Sequence, residues 1–135
     1  MKPRYMLDTN MCIYLMKDRP AEVARRFARC FVGEVVISAM TLVELEYGVA
    51  CSGERRGQNR RALDALLEDI TAAPFDVGAA GAYGPIRAAT RHKTRGALDK
   101  LIAAHAISLE VVLVTNNEAD FADYPGLKVE NWVGA

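Results

Sequence analysis

The residues that invite a chemical reading are acids at the ends of apolar segments. The stretch "YMLDTN", Tyr5–Asn10, closes an apolar run on Asp8, Thr9 and Asn10. All three residue types serve well at a helix N-cap, so capping alone accounts for such a tripeptide. Glu44 lies inside "SAMTLVELEYG", Ser38–Gly48, and Asp99 opens "DKLIAAHAISLE". On a helix the neighbours of Glu44 are Met40, Thr41, Tyr47 and Gly48, and the opposite side carries Leu42, Leu45 and Val49. A helix apolar nearly all round is expected to be buried, and a carboxylate there is costly unless it is paired or binds a metal. The competing reading is Thr41-x-x-Glu44 as a capping box. Glu46, about 200° further round the helix, cannot serve the same site as Glu44. Asp99 suits an N-cap or first turn, where the helix dipole keeps it ionised. Carboxylates brought together raise one another's pKa values, and a hard divalent cation relieves that cost. An all-oxygen ligand set selects Mg²⁺, with Mn²⁺ able to substitute, over zinc.

The elements that must position these acids follow from alternation. Short apolar runs expected as strands are Arg4–Leu7, Val35–Ser38, Ala73–Phe75, Val111–Thr115 and Lys128–Glu130. Helical patterns lie between them, near Met11–Lys17, Ala21–Arg29, Ala39–Ala50, Asn59–Ile70, Ala79–Arg91 and Asp99–Leu109. The class is α/β, a mostly parallel sheet flanked by helices. "VVLV", Val111–Val114, is continuous and β-branched, as a strand buried on both faces should be. Ligands of such sheets sit beyond the carboxyl ends of the strands, where Asp8 and Thr115 both fall. If their two strands are neighbours, these polar groups converge.

Composition narrows the classes. With 51% apolar and 25% charged residues over 135 positions, the chain reads as one globular domain, 1–135. Its formal net charge is zero, so any polyanion must be met by local clusters. Three exist: Arg25, Arg26 and Arg29; Arg55, Arg56, Arg60 and Arg61; and Arg91, Lys93 and Arg95. The plain alternative for each is a solvated helix face. Cys12, Cys30 and Cys51 show no C-x-x-C spacing, which argues against a disulfide framework or zinc site and leaves them as small core hydrophobes. The start carries no signal-peptide pattern and no apolar run is long enough for a bilayer, so a cytoplasmic protein without membrane contact is expected. His105 falls on the apolar stripe of its helix and lacks a nucleophile or partner motif, so it reads as structural.

Four blocks occur in a fixed order: "MLDTN", then S-x-x-T-L-x-E-L-x-Y-G at Ser38–Gly48. D-x-L-I-A-A-H-A follows at Asp99–Ala106, and "LVTNN…DF…PGL…ENW" at Leu113–Trp132. Together they resemble a PIN-domain ribonuclease, specifically a VapC-type toxin of a bacterial toxin–antitoxin pair. The resemblance spans nearly the whole chain. It implies a three-layer α/β/α sandwich and Mg²⁺-dependent cleavage of RNA, tRNA or another structured RNA. It also implies inhibition by a VapB-type antitoxin, and a homodimer. Asp8, Glu44 and Asp99 match the family's acids, with Asp8 and Asp99 as the metal ligands. Thr115 matches a hydroxyl that orients the first acid. Two departures stand out. Asn117 occupies the place of a fourth acid, for which Asp120 is the substitute at hand. The segment "HKTRGALD" lacks a proline beside Gly96 and is short. Arg91, Lys93 and Arg95, just before Asp99, are the expected RNA-binding patch, with the second arginine cluster as an alternative. Two rival readings remain: a receiver-like signalling domain, and an inactive PIN-like domain retained for RNA binding or assembly.

Overall fold

The computed structural model describes residues 2–134. Five strands form one parallel sheet: β1 (Tyr5–Leu7), β2 (Val35–Ser38), β3 (Thr71–Ala73), β4 (Val112–Val114) and β5 (Lys128–Glu130), in the order β3-β2-β1-β4-β5. The chain builds outward from β1 to β3, then crosses back to place β4 on the other side of β1. That reversal makes the gap between the carboxyl ends of β1 and β4 a topological switch point, where parallel sheets bind ligands. A receiver-type sheet runs 2-1-3-4-5, so the order excludes the receiver reading.

Strand alternation sorts side chains into two cores. Tyr5, Leu7, Val35, Ile37 and Val114 enter one layer, while Met6, Val36 and Leu113 enter the other. Helices α1 (Thr9–Lys17), α2 (Ala21–Ala28), α3 (Ala39–Ala50) and α4 (Arg56–Asp69) supply Met11, Val23, Leu45 and Leu63 to the first core. Helices α5 (Val77–Ala89), α6 (Ala97–Leu109) and the short α7 (Glu118–Phe121) supply Ile86, Ile102 and Phe121 to the second. The architecture is the expected α/β/α sandwich. No helix among the described residues is long and apolar enough to cross a membrane.

Some expectations are corrected. The third strand lies at Thr71–Ala73, two residues before the expected Ala73–Phe75, because Ile70 ends α4 in extended conformation and pairing with β2 starts at once. Helix α4 starts earlier than expected, at Arg56, behind a 3₁₀ turn at Gly53–Arg55. Helix α3 is not buried all round: Val43 is 59% and Tyr47 69% exposed. Its cap is Ser38, whose hydroxyl accepts from the Met40 amide at 3.0 Å, so Thr41 and Glu44 form no capping box. Of the cysteines, Cys12 is buried in the core, Cys30 is half-buried and Cys51 is exposed.

The carboxyl-terminal segment is locked by Trp132. Its ring meets Tyr5 edge-on at 5.5 Å, and the Arg26 guanidinium lies 4.9 Å from the Trp132 ring centroid and 5.2 Å from that of Tyr5. Arg26 is therefore a packing residue and not part of a solvated basic face. Trp132→Ala should cost about 3–5 kcal/mol in urea unfolding, as expected for deleting a buried aromatic. A loss under about 1 kcal/mol would mean that the segment is not part of the cooperative core.

Candidate active site at the switch point

Asp8 follows β1 and Thr115 follows β4, and the register Leu7↔Val114 sets them side by side. The Asp8 amide donates to the Val114 carbonyl at 3.0 Å, extending the ladder by one step. Asp8 is also the N-cap of α1: its Oδ1 accepts from the Met11 amide at 2.9 Å. Capping and a place at the strand edge thus coincide in one carboxylate that is only 5% exposed. Burial raises its pKa above the usual carboxylate range. The Thr115 hydroxyl and the amides of Met11 and Asn10 pull in the other direction without offsetting burial. Thr115 is itself fully buried and accepts from the Asn117 amide at 2.9 Å. A hydroxyl that accepts from a backbone amide has its proton free to donate, and Asp8 is the acceptor in reach.

Asp99 lies in the first turn of α6, which starts at Ala97 behind Gly96. Gly96 has φ +79°, a left-handed conformation that side chains disfavour. No side chain caps this helix, so the Asp99 charge sits near free amides at its start. The Asp99 pKa is also raised, first by burial, then by the negative charges of Asp120, Asp8 and Glu44, with Lys93 opposing. Three acids from three other segments therefore act on Asp99 at the switch point. Asp120 comes from α7, an element too short for sequence periodicity to reveal. Glu44 stands exposed at the rim, so the premise that it is a buried carboxylate is corrected, though its field still reaches Asp99.

Two carboxylates raised by burial, one of them also by neighbouring acids, suit a divalent ion, which would relieve both burial and repulsion. Among the described residues no three acid, His or Cys side chains close into a ready-made cage. The fit is thus to an ion held by a pair of carboxylates and water. Mg²⁺ tolerates that sparse protein coordination, whereas a structural zinc site does not.

The remaining sequence candidates separate. Arg91 and Arg95 are exposed in the α5–α6 loop. Lys93 is instead engaged, donating to the Asp120 carbonyl at 2.8 Å. Arg60 is bound by Glu46 at 2.6 Å and by Asp64 at 3.0 Å, which leaves the second arginine cluster a weaker RNA candidate. His105 is 1% exposed, shares a 2.7 Å hydrogen bond with the Ser38 hydroxyl and packs edge-on to Phe75 at 5.3 Å. Burial lowers its pKa, so it is a neutral strut between α6 and the end of β2. Lys100, which the sequence did not flag, is a buried cation beside Asp99.

A groove of about 670 Å³ runs from Glu44 along α1, α3 and the start of α4, with Ile13, Met16, Tyr47, Gly48 and Arg55 among its walls. Of the exposed apolar residues of α3, Tyr47 belongs to its lining.

Known proteins resemble this chain in sequence and fold. Residues 5–127 match the PIN domain. The chain is 37% identical over 131 residues to the tRNA(fMet)-specific endonuclease VapC of Shigella flexneri, covering 96% of this chain and 98% of that protein. It is 36% identical over 131 residues to ribonuclease VapC2 of Rickettsia felis, covering 95% and 97%. The chain belongs to the PIN-domain family, among the VapC ribonucleases. Solved structures of VapC complexes agree. DNA-bound VapBC from Salmonella typhimurium superposes with a TM-score of 0.88 at 35% identity, over 96% of this chain and 98% of that one. VapBC2 from Rickettsia felis, bound to a DNA fragment from their promoter, gives 0.86 at 35% identity, over 95% and 98%.

The acids of this VapC-family site carry a stability cost with a defined sign. A carboxyl whose folded pKa lies above its unfolded value binds more protons when folded. Stability therefore falls as pH rises from the unfolded pKa through the folded one. In metal-free protein, Asp99→Asn should raise the melting temperature at pH 7, and the gain should fade below about pH 4, where the unfolded carboxyl is itself protonated. A melting temperature that drops equally at both pH values would show Asp99 to be a stabilising structural acid.

Proposed function

We propose that the chain is a divalent-metal-dependent endoribonuclease and the toxin of a VapBC pair, with Mg²⁺ as its ion and cytoplasmic RNA as its substrate. The observation that carries this reading is the convergence of Asp8, Asp99, Asp120 and Glu44 at the β1/β4 switch point, with Asp8 pushed up in pKa by burial and Asp99 by burial and the charges of the other three. Bound there, Mg²⁺ supplies Lewis-acid polarisation of a phosphate and a lower pKa for the attacking water. Asp8 and Asp99 are the residues to hold it. Thr115 fixes the orientation of Asp8. Asp120 and Glu44 stand further out, where a carboxylate orients a water and accepts its proton by hydrogen bond. Arg91 and Arg95 lie on the approach to Asp99 and suit phosphate contacts, so RNA affinity should fall steeply with salt. The intact acids argue against an inactive assembly module. The substrate class that the relatives' names support is tRNA.

Asp8→Asn and Asp99→Asn should abolish cleavage with the fold intact, since asparagine keeps the shape and, at position 8, caps as well as aspartate. Glu44→Gln should be nearly as severe. Thr115→Val should cost about 10–100-fold, the usual effect of losing an outer partner of a metal ligand. Cleavage in Mg²⁺ should stop in EDTA. An Asp8→Asn protein that cuts RNA at the wild-type rate would refute the site.

Control falls to the groove. Its apolar walls, Ile13, Met16 and Tyr47, suit one face of a VapB-type antitoxin segment, and its inner end at Glu44 suits a cationic side chain reaching the acids. A homodimer of two such toxins accompanies this reading. Expression alone should arrest growth, and co-expression with the protein encoded beside this gene should restore it. Normal growth in both cases would remove the toxin assignment and leave the nuclease.

A further inference from the structure

Lys100 is 6% exposed, and among the described residues no acid pairs with it. A buried ammonium is tolerated only where other groups replace its water. Two backbone carbonyls do so: Nζ donates to Thr90 at 3.0 Å and to Lys93 at 2.6 Å. Thr90 is fully buried and closes α5, its hydroxyl donating to the Ile86 carbonyl at 2.7 Å. Lys100 therefore staples the loop before Asp99 to the first turn of α6. The staple fixes the backbone of Lys93, whose side chain turns the other way. Its Nζ donates to the Asp120 carbonyl at 2.8 Å, lies 3.8 Å from Asp123 and sits 4.9 Å from the centroid of the Tyr124 ring. The ammonium thus holds the backbone of α7 and leaves the Asp120 carboxylate free.

We propose that Lys100 and Lys93 form a two-lysine bracket that positions Asp120 against Asp99, so that Lys93 is a positioning residue of the acidic centre and not a phosphate-binding group of the RNA path. The proposal rests on Asp99 and Asp120 facing a divalent ion. In this arrangement the short "HKTRGALD" segment carries one lysine across to α7 while a second anchors it from below. The bracket also explains how an exposed acid on a four-residue helix keeps a defined place.

Lys93→Gln is the cleaner variant, since it keeps the backbone carbonyl that Lys100 needs. In metal-free protein, amide hydrogen exchange across Glu118–Asp123 should quicken in Lys93→Gln with the melting temperature unchanged. Unchanged exchange there overturns the bracket. Calorimetric Mn²⁺ binding should weaken roughly tenfold in Lys93→Gln, and in an Asp120→Asn background the same change should have no further effect. Tighter Mn²⁺ binding in both backgrounds would mean that Lys93 merely repels the ion, and a drop of about one in the salt slope of RNA affinity would make it a phosphate contact. Either result overturns the proposal. Lys100→Met, compared at a temperature where it remains folded, should quicken exchange in both Thr90–Arg95 and Glu118–Asp123; protection unchanged in both would remove Lys100 from the bracket. Wild-type protein that binds no Mn²⁺ would instead sink the metal reading of the site, while the exchange measurement still decides whether the bracket exists.

Discussion

Placing a carboxylate where water cannot fully solvate it is the constraint on which this structure turns. Asp8 is confined by its own backbone, since the residue after β1 must pair with Val114 and cap α1 at once. A buried acid would ordinarily take up a proton or find a cation. Here the amides of α1 and the Thr115 hydroxyl hold the carboxyl in place, and Asp99 adds a second negative charge nearby. The fold thus maintains an electrostatic deficit at the one sheet edge where its topology leaves a gap.

The rest of the molecule supports that deficit. The apolar strands around β1 fix the height of Asp8 and Thr115, and an apolar core lies on either side of the sheet. Helix α6 presents Asp99 from its amide end, and its neutral His105 ties it to the cap of α3 through Ser38. The two lysines near the site spend their hydrogen bonds on backbone: Lys100 donates to the carbonyls of Thr90 and Lys93, and Lys93 to the carbonyl of Asp120. A site whose own lysines neutralised its acids would have no need of a metal ion.

Much of this is legible in the sequence because it follows from periodicity. Strand runs that end in Asp8 and Thr115 predict polar groups at one edge, and the spacing before Leu101 and Ile102 sets Asp99 at a helix start. Glu44 is found in the sequence through a wrong premise. Apolar residues all round α3 suggest burial, but Val43 and Tyr47 are exposed and Tyr47 lines a groove, and hydrophobicity alone does not distinguish a core from an open surface. The cap of α3 falls three residues before Thr41, because Ser38 and Thr41 are chemically alike as caps and the pattern does not separate them. Lys100 is invisible for a different reason: its partners are backbone carbonyls, which leave no trace in residue type. Asp120 can be named only by its family position, since α7 has four residues and no period to read.

The central claim is that ionised Asp8 and Asp99 destabilise the metal-free fold and that a divalent cation reverses this. Thermal unfolding across a Mn²⁺ titration tests it directly, because an ion that binds only the folded state raises stability with the logarithm of its concentration. The account predicts such a rise in the wild-type protein, and a flat response in Asp8→Asn and Asp99→Asn. An equal rise in the two variants, or none in the wild type, would contradict it.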